Sequence, residues 1–183
     1  MTPLDTRPSA AEHAPFALTY IDATANALTG TTRASVRALL EGQVGTLHTL
    51  TRGVDAAIVH RGYAPDKWTL AESLIHVADV ERVFAYRLLR IARADKTPLP
   101  GFDHDAWVPE TRAARRELVD ILTEIDTVRA ATLALVRSLD EAAVLQIGTA
   151  SGHPVSARAL VWMIAGHFAH HLDLVRTRYL AEA

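Results

Sequence analysis

His167 and His171, near the C-terminal end of the sequence, are four residues apart. On a helix that spacing carries both imidazoles on one face. They also continue an apolar stripe, Leu160, Ile164, His167, His171, Leu174, so the face they share is the one that turns inward. Burying two imidazoles is costly unless their nitrogens find partners, and a divalent metal satisfies both at once. The spacing alone is weak evidence. Nine histidines in 183 residues give roughly 0.4 such pairs by chance, and two hydrogen-bonded or half-exposed histidines would read the same way. His76 adds weight, because it stands one turn into another amphipathic segment whose core face includes Leu74, Val77 and Val80. Bundle interiors assemble metal sites from side chains on facing helices in this manner.

The other polar candidates are less directed. Glu81 falls on the stripe between Val77 and Phe84, where a buried carboxylate could orient a ligating imidazole or act as a base. Pairing with Arg82, Arg87 or Arg178 is the competing reading for it. His104 lies between Asp103 and Asp105 in a long loop that could fold over a metal or form a solvated turn. His170 projects about 100° away from His171 around the helix and is expected at the periphery. His153 precedes a proline in a loop, and His13, His48 and His60 are expected at the surface.

Several chemistries are excluded. The chain has no cysteine, hence no thiolate ligand, disulfide or cysteine nucleophile. HFAHH is not a zincin motif, because Phe168 stands where the general-base Glu would be. Neither the ExxH pairs of di-iron carboxylate bundles, nor a phosphate-cradling glycine loop, nor a G-x-S-x-G elbow is present. Three neutral imidazoles suit Zn²⁺ or Ni²⁺, with Fe²⁺ and Mn²⁺ compatible. Such a site keeps a position open for water or substrate, and the metal then makes a nucleophile from bound water or thiol near neutral pH.

The elements that must position these residues are helices. Val36, Leu40, Leu47, Leu50 and Val54 step by threes and fours, with Gln43 interrupting. Thr69-Leu-Ala-Glu72 is a capping box opening a helix with Leu70, Leu74, Val77, Phe84, Leu88 and Ile91 on one side. A third stripe runs Leu118, Ile121, Ile125, Val128, Thr132, Leu135, Leu139, and Ser156 is an N-cap for the last helix. No strand alternation or repeat stands out. The pattern predicts an all-α, antiparallel four-helix bundle, with helices near 33–53, 69–94, 110–138 and 156–180 and a short one between Tyr20 and Gly30. Residues 1–15, rich in proline, are expected as a flexible arm before a single domain over 16–183. The stretch TPLPGFDHDAWVPE is long for a connection between helices, and such loops are often functional.

Composition agrees. Residues are 49% hydrophobic and 22% charged, with net charge −2, which leaves no electrostatic footprint for nucleic acid or an anionic membrane. No apolar run approaches the roughly 18 residues of a spanning helix. The first residues lack the basic flank and apolar stretch of a signal peptide, so a cytoplasmic location is expected.

Three segments, YAPDKWTLAESLIHVADVERVFAYRLLRIARAD, PLPGFDHDAWV and GHFAHHLDLVRTRY, resemble the DinB-like family of metal-binding four-helix bundles. The resemblance runs from about Tyr20 to Tyr179. It implies a three-histidine metal site, with one His early in the second long helix joining an HxxxH pair late in the chain. The matching positions are His76, His167 and His171. It also implies a small-molecule substrate, with some members regarded as transferases or isomerases using a low-molecular-weight thiol. A hydrolase fits the residues equally, and a non-catalytic binding or stress-response accessory protein is the alternative. The resemblance, with the high apolar fraction, further suggests a homodimer.

Overall fold

Thr69 and Glu72 close the first turn of the longest helix as a reciprocal cap: the Thr69 hydroxyl accepts from the Glu72 amide at 3.2 Å, and the Glu72 carboxylate accepts from the Thr69 amide at 2.8 Å. The structure, a computed structural model, describes residues 2–29 and 35–181. The predicted helix start at residue 33 and the end of the predicted short helix at Gly30 lie outside the described residues. The four long helices are α2 (Val36–Thr51), α4 (Leu70–Ala92), α6 (Leu118–Arg137) and α8 (Ala157–Leu174), preceded by the shorter α1 (Leu18–Leu28). Short turns α3 (Ala56–Val59), α5 (His104–Trp107) and α7 (Glu141–Val144) lie between them. A π-turn, Val175–Tyr179, extends α8, and Ser156 caps it by accepting from the Ala159 amide. Among the described residues no helix is long and apolar enough to cross a membrane.

α2 and α4 each pack against both α6 and α8, so the four long helices form a closed ring in the order α2, α6, α4, α8. α1 lies along α8. Direction follows from the pairs that meet. His48 with Asp126 and Glu41 with Arg137 make α2 and α6 antiparallel. His76 beside His167 near the start of α4, and Ile91 at its end against Gly148 before α8, make α4 and α8 antiparallel. α4 and α6 share a direction: Leu70 and Leu74 from the start of α4 belong to the same core cluster as Ile121 from the start of α6, while Leu88 and Ile91 from the end of α4 belong with Val136 from the end of α6 to the other. A parallel pair needs a connection that runs back along the bundle. This is why the loop between them is long, and it brings His104 back to the level of His76.

The predicted stripe of α4 is buried throughout, with Leu70, Leu74, Val77, Phe84, Leu88 and Ile91 in the core, whereas Leu50, Val54, Leu118, Leu135, Leu139 and Leu174 at the ends of the other stripes are half-buried. Four expectations are corrected. The third helix begins at Leu118 rather than near 110, since Arg112 takes a left-handed backbone conformation (φ 52°) between two 3₁₀ turns. The stretch before α8 is a β-hairpin, β1 (Ile147–Ala150) paired with β2 (His153–Ser156). Its two-residue turn has Ser151 at φ 52° and Gly152 at φ 78°, the doubly positive geometry that matches strand twist. Finally, the segment expected as a flexible arm is tied down. Leu4 is buried, its carbonyl accepts from Trp162 Nε1 at 2.8 Å, and Glu12 pairs with Arg158 at 2.5 and 2.6 Å. His13, expected at the surface, is buried and its Nδ1 lies 2.9 Å from the Ala14 carbonyl oxygen.

Candidate metal centre

His76 reaches the bundle interior from the second turn of α4, and His167 and His171 reach it from the facing stripe of α8. His76 Nε2 and His167 Nε2 lie 3.1 Å apart, and one ligand nitrogen from each of the three lies within 4.8 Å of the others. All three residues are buried. Burial and the neighbouring imidazoles push each pKa down, to about 4 for His76 and well below the usual histidine value for the other two. The rings are therefore neutral and carry the lone pairs that metal binding requires. Free imidazole would suggest that affinity fades below about pH 6.5; burial moves that limit lower.

The surroundings orient the three rings. Ser73, one turn before His76, places its hydroxyl 3.0 Å from His171 Nδ1. With Nδ1–H donating to that hydroxyl, Nε2 is left with its lone pair. Tyr20 stands edge-on to His167 with ring centroids 5.1 Å apart, and Trp68 covers His76 at 4.8 Å. Gly166 makes the Tyr20 contact possible: a Cβ there would sit 1.8 Å from the Tyr20 carbonyl oxygen, so only glycine lets α1 approach this closely. The donor set fits a divalent metal ion: three neutral nitrogens, two of them facing each other at a separation of 3.1 Å where only one N–H could be shared.

The other predicted residues separate. His104, in α5, folds over the trio with its ring 5.3 Å from that of His76, and remains half exposed beside Asp105 at 3.8 Å. His170 is exposed and touches the rim of the site through Tyr20 and His171. Glu81 does not reach the trio as base or orienting partner. Its carboxylate accepts two hydrogen bonds of 2.8 Å from Arg129, a partner absent from the three arginines considered for it. Arg129 also donates to the Leu40 carbonyl and to Gln43 Oε1, and Gln43 Nε2 donates to the Ala165 carbonyl at 2.7 Å. This buried chain joins all four long helices, and it explains why Gln43 interrupts the stripe of α2. His48 pairs with Asp126 on the surface, and His60 and His153 are exposed.

Two cavities open on the trio. A polar one of about 350 Å³ reaches His76 and His171 and is lined by Tyr63, Lys67 and Asp105. A more apolar one of about 340 Å³ reaches His76 and His167 and runs along α4 past Val80 and Phe84. Tyr20 and His104 border both. Sequence reasoning missed Ser73, Tyr20 and Gly166. Ser73 was legible as the residue one turn before His76, whereas Tyr20 lies on a helix with too little patterning to mark a face.

Residues 39–175 match the sequence profile of the DinB superfamily. The chain belongs to the DinB superfamily. A solved structure of similar fold is YfiT from Bacillus subtilis, described as a probable metal-dependent hydrolase with an unusual four-helix bundle topology. The TM-score is 0.67 at 14% sequence identity, covering 82% of this chain and 92% of that one. No curated protein matches the chain. For this DinB-superfamily chain the ring order, in which α2 and α4 are diagonal rather than adjacent, is a departure from simple up-and-down bundles.

Proposed function

We propose that this protein is a metal-dependent hydrolase of a small organic molecule, working in the cytoplasm with one divalent ion, Zn²⁺ or Ni²⁺ before Fe²⁺ or Mn²⁺, held by His76, His167 and His171. The observation that carries the reading is that three buried, neutral imidazoles converge where two cavities meet, rather than behind a sealed wall. A site closed on all sides would have supported the non-catalytic alternative. The ion supplies Lewis acidity and the means to make a nucleophile from water near neutral pH. The chain does the rest. Ser73 holds the His171 ring in place, and Tyr20 and Trp68 shield the trio from bulk water. His104, at the rim, is placed to carry a proton between the site and solvent, with Asp105 beside it.

A second reading, transfer to a low-molecular-weight thiol, is favoured by the size of the polar cavity. A hydrolase needs room there for one water, whereas about 350 Å³ accommodates a second small molecule beside the one in the apolar cavity. A homodimer belongs to the same reading, supported by apolar side chains left exposed on α4 and α6, among them Leu89 and Val119; light scattering tests it. Elemental analysis of the purified protein, followed by hydrolysis assays with and without a thiol co-substrate, tests the function. Metal-dependent turnover is expected. A protein that takes up no metal on reconstitution would leave the hydrolase reading without its basis.

A further inference from the structure

Arg87 is 5% exposed and has no carboxylate partner among the described residues. The other deeply buried arginine, Arg129, is neutralised by Glu81. Arg87 Nη2 donates to the Pro100 carbonyl at 2.7 Å and to Ser151 Oγ at 3.0 Å, which uses both of its hydrogens. Nε and Nη1 make no hydrogen bond among the described residues, and neither is sealed from solvent space, since no fully buried side-chain nitrogen there lacks a partner. Arg87 lines the apolar cavity together with Phe84, Phe102 and His167. Phe102 lies under the guanidinium at 5.3 Å, fixing its plane. A buried cation is costly without a counter-charge, and burial lowers the Arg87 pKa accordingly.

The placement has a repeat. His76, Val80, Phe84 and Arg87 step by four, four and three along one face of α4, so the cavity floor reads ligand, apolar, apolar, cation. Eleven residues span roughly 16 Å of helix axis, and the reach of two side chains shortens the gap to on the order of 10 Å. We propose that Arg87 is a substrate-anchoring residue: it binds the carboxylate of a small molecule whose apolar body lies over Val80 and Phe84 and whose reacting group meets the three histidines. One guanidinium balances one charge, which favours a carboxylate over a doubly charged phosphate. That the bound molecule is a substrate rests on the metal-enzyme reading above; the anion pocket itself does not.

Calorimetric titration with octanoate and with its neutral analogue octanamide separates the two. In chelator-treated protein the carboxylate has no metal to bind, so octanoate is expected to bind at least tenfold more tightly than octanamide. Arg87→Met should erase that preference and Arg87→Lys should keep part of it. Octanamide binding as well as octanoate, octanoate failing to bind, or Arg87→Met leaving octanoate affinity unchanged would each overturn the proposal. Should Arg87→Met not fold, since Arg87 also ties down Pro100 and Ser151, the comparison of the two probes on the unaltered protein still decides. Repeating the titration after metal loading, with metal content measured alongside, keeps a failure of the metal site distinct from a failure of the anion pocket.

Discussion

Arg129 on α6 grips Glu81 on α4 through two parallel hydrogen bonds of 2.8 Å, with both side chains almost wholly removed from water. The same guanidinium stacks on Phe168 of α8 at 4.5 Å and reaches Gln43 of α2 at 3.1 Å. One buried ion pair therefore sets the mutual register of four helices, including the two that carry the histidines. Breaking it leaves a charge buried without its partner. Glu81→Ala is expected to cost about 3–5 kcal/mol in urea unfolding, while any folded fraction keeps its metal. An unchanged stability with lost activity would return Glu81 to the chemistry.

Metal stoichiometry should follow the geometry of the last helix. Replacing His76, His167 or His171 with Ala is expected to abolish one-to-one binding, and His170→Ala to retain most of it, by elemental analysis after dialysis. The helices bury apolar stripes of their own, so a chelator should lower the melting temperature without unfolding the chain. The reverse pattern, in which His170→Ala loses the ion and His171→Ala keeps it, would mean that the helix presents a different face.

Gly166→Ala tests how tightly the cover of the site is built. The added methyl would collide with backbone, the Tyr20 carbonyl oxygen at 1.8 Å, which no rotamer change relieves. Forced separation of α1 from α8 is expected to destabilise the fold by at least about 1–3 kcal/mol and to expose His167. Hydrogen exchange should show faster amide exchange across α1, and a protein with native exchange there would contradict the close approach.

Acid should loosen the N-terminal turns before the bundle. Arg158 holds the Glu12 carboxyl at about 2, against an ordinary value of 4.5. A carboxylate whose pKa is lower folded than unfolded stabilises fully above the unfolded value, and that stabilisation disappears as pH falls through the folded value. The gap in melting temperature between the native protein and Glu12→Gln should therefore be full at pH 5 and above. It should narrow as pH falls from about 4.5 toward 2. A gap that stays constant over that window would show that Glu12 gains nothing from Arg158.

What was legible in the sequence was what local periodicity encodes. The stripes of α4 and α8 follow from a helical repeat, so their buried faces, the Thr69 and Ser156 caps and the shared face of His167 and His171 could be read residue by residue. His76 could be placed on a core face by the same rule, and the family resemblance joined it to the pair. Long-range pairing has no such local signature. Glu81 has arginines nearby in sequence, yet its partner lies 48 residues away, because the direction of α6 beside α4 brings Arg129 to its level. The loop carrying His104 was visibly long, but only the parallel sense of those two helices explains its length and its place over the trio. The N-terminal segment, proline-rich and without a repeat, looked loose because its anchors, Trp162 and Arg158, lie about 150 residues further along the chain. Side chains that act through neighbours in space, such as Tyr20 against His167, were set by the packing of α1 on Gly166, a choice made in three dimensions by the absence of one Cβ.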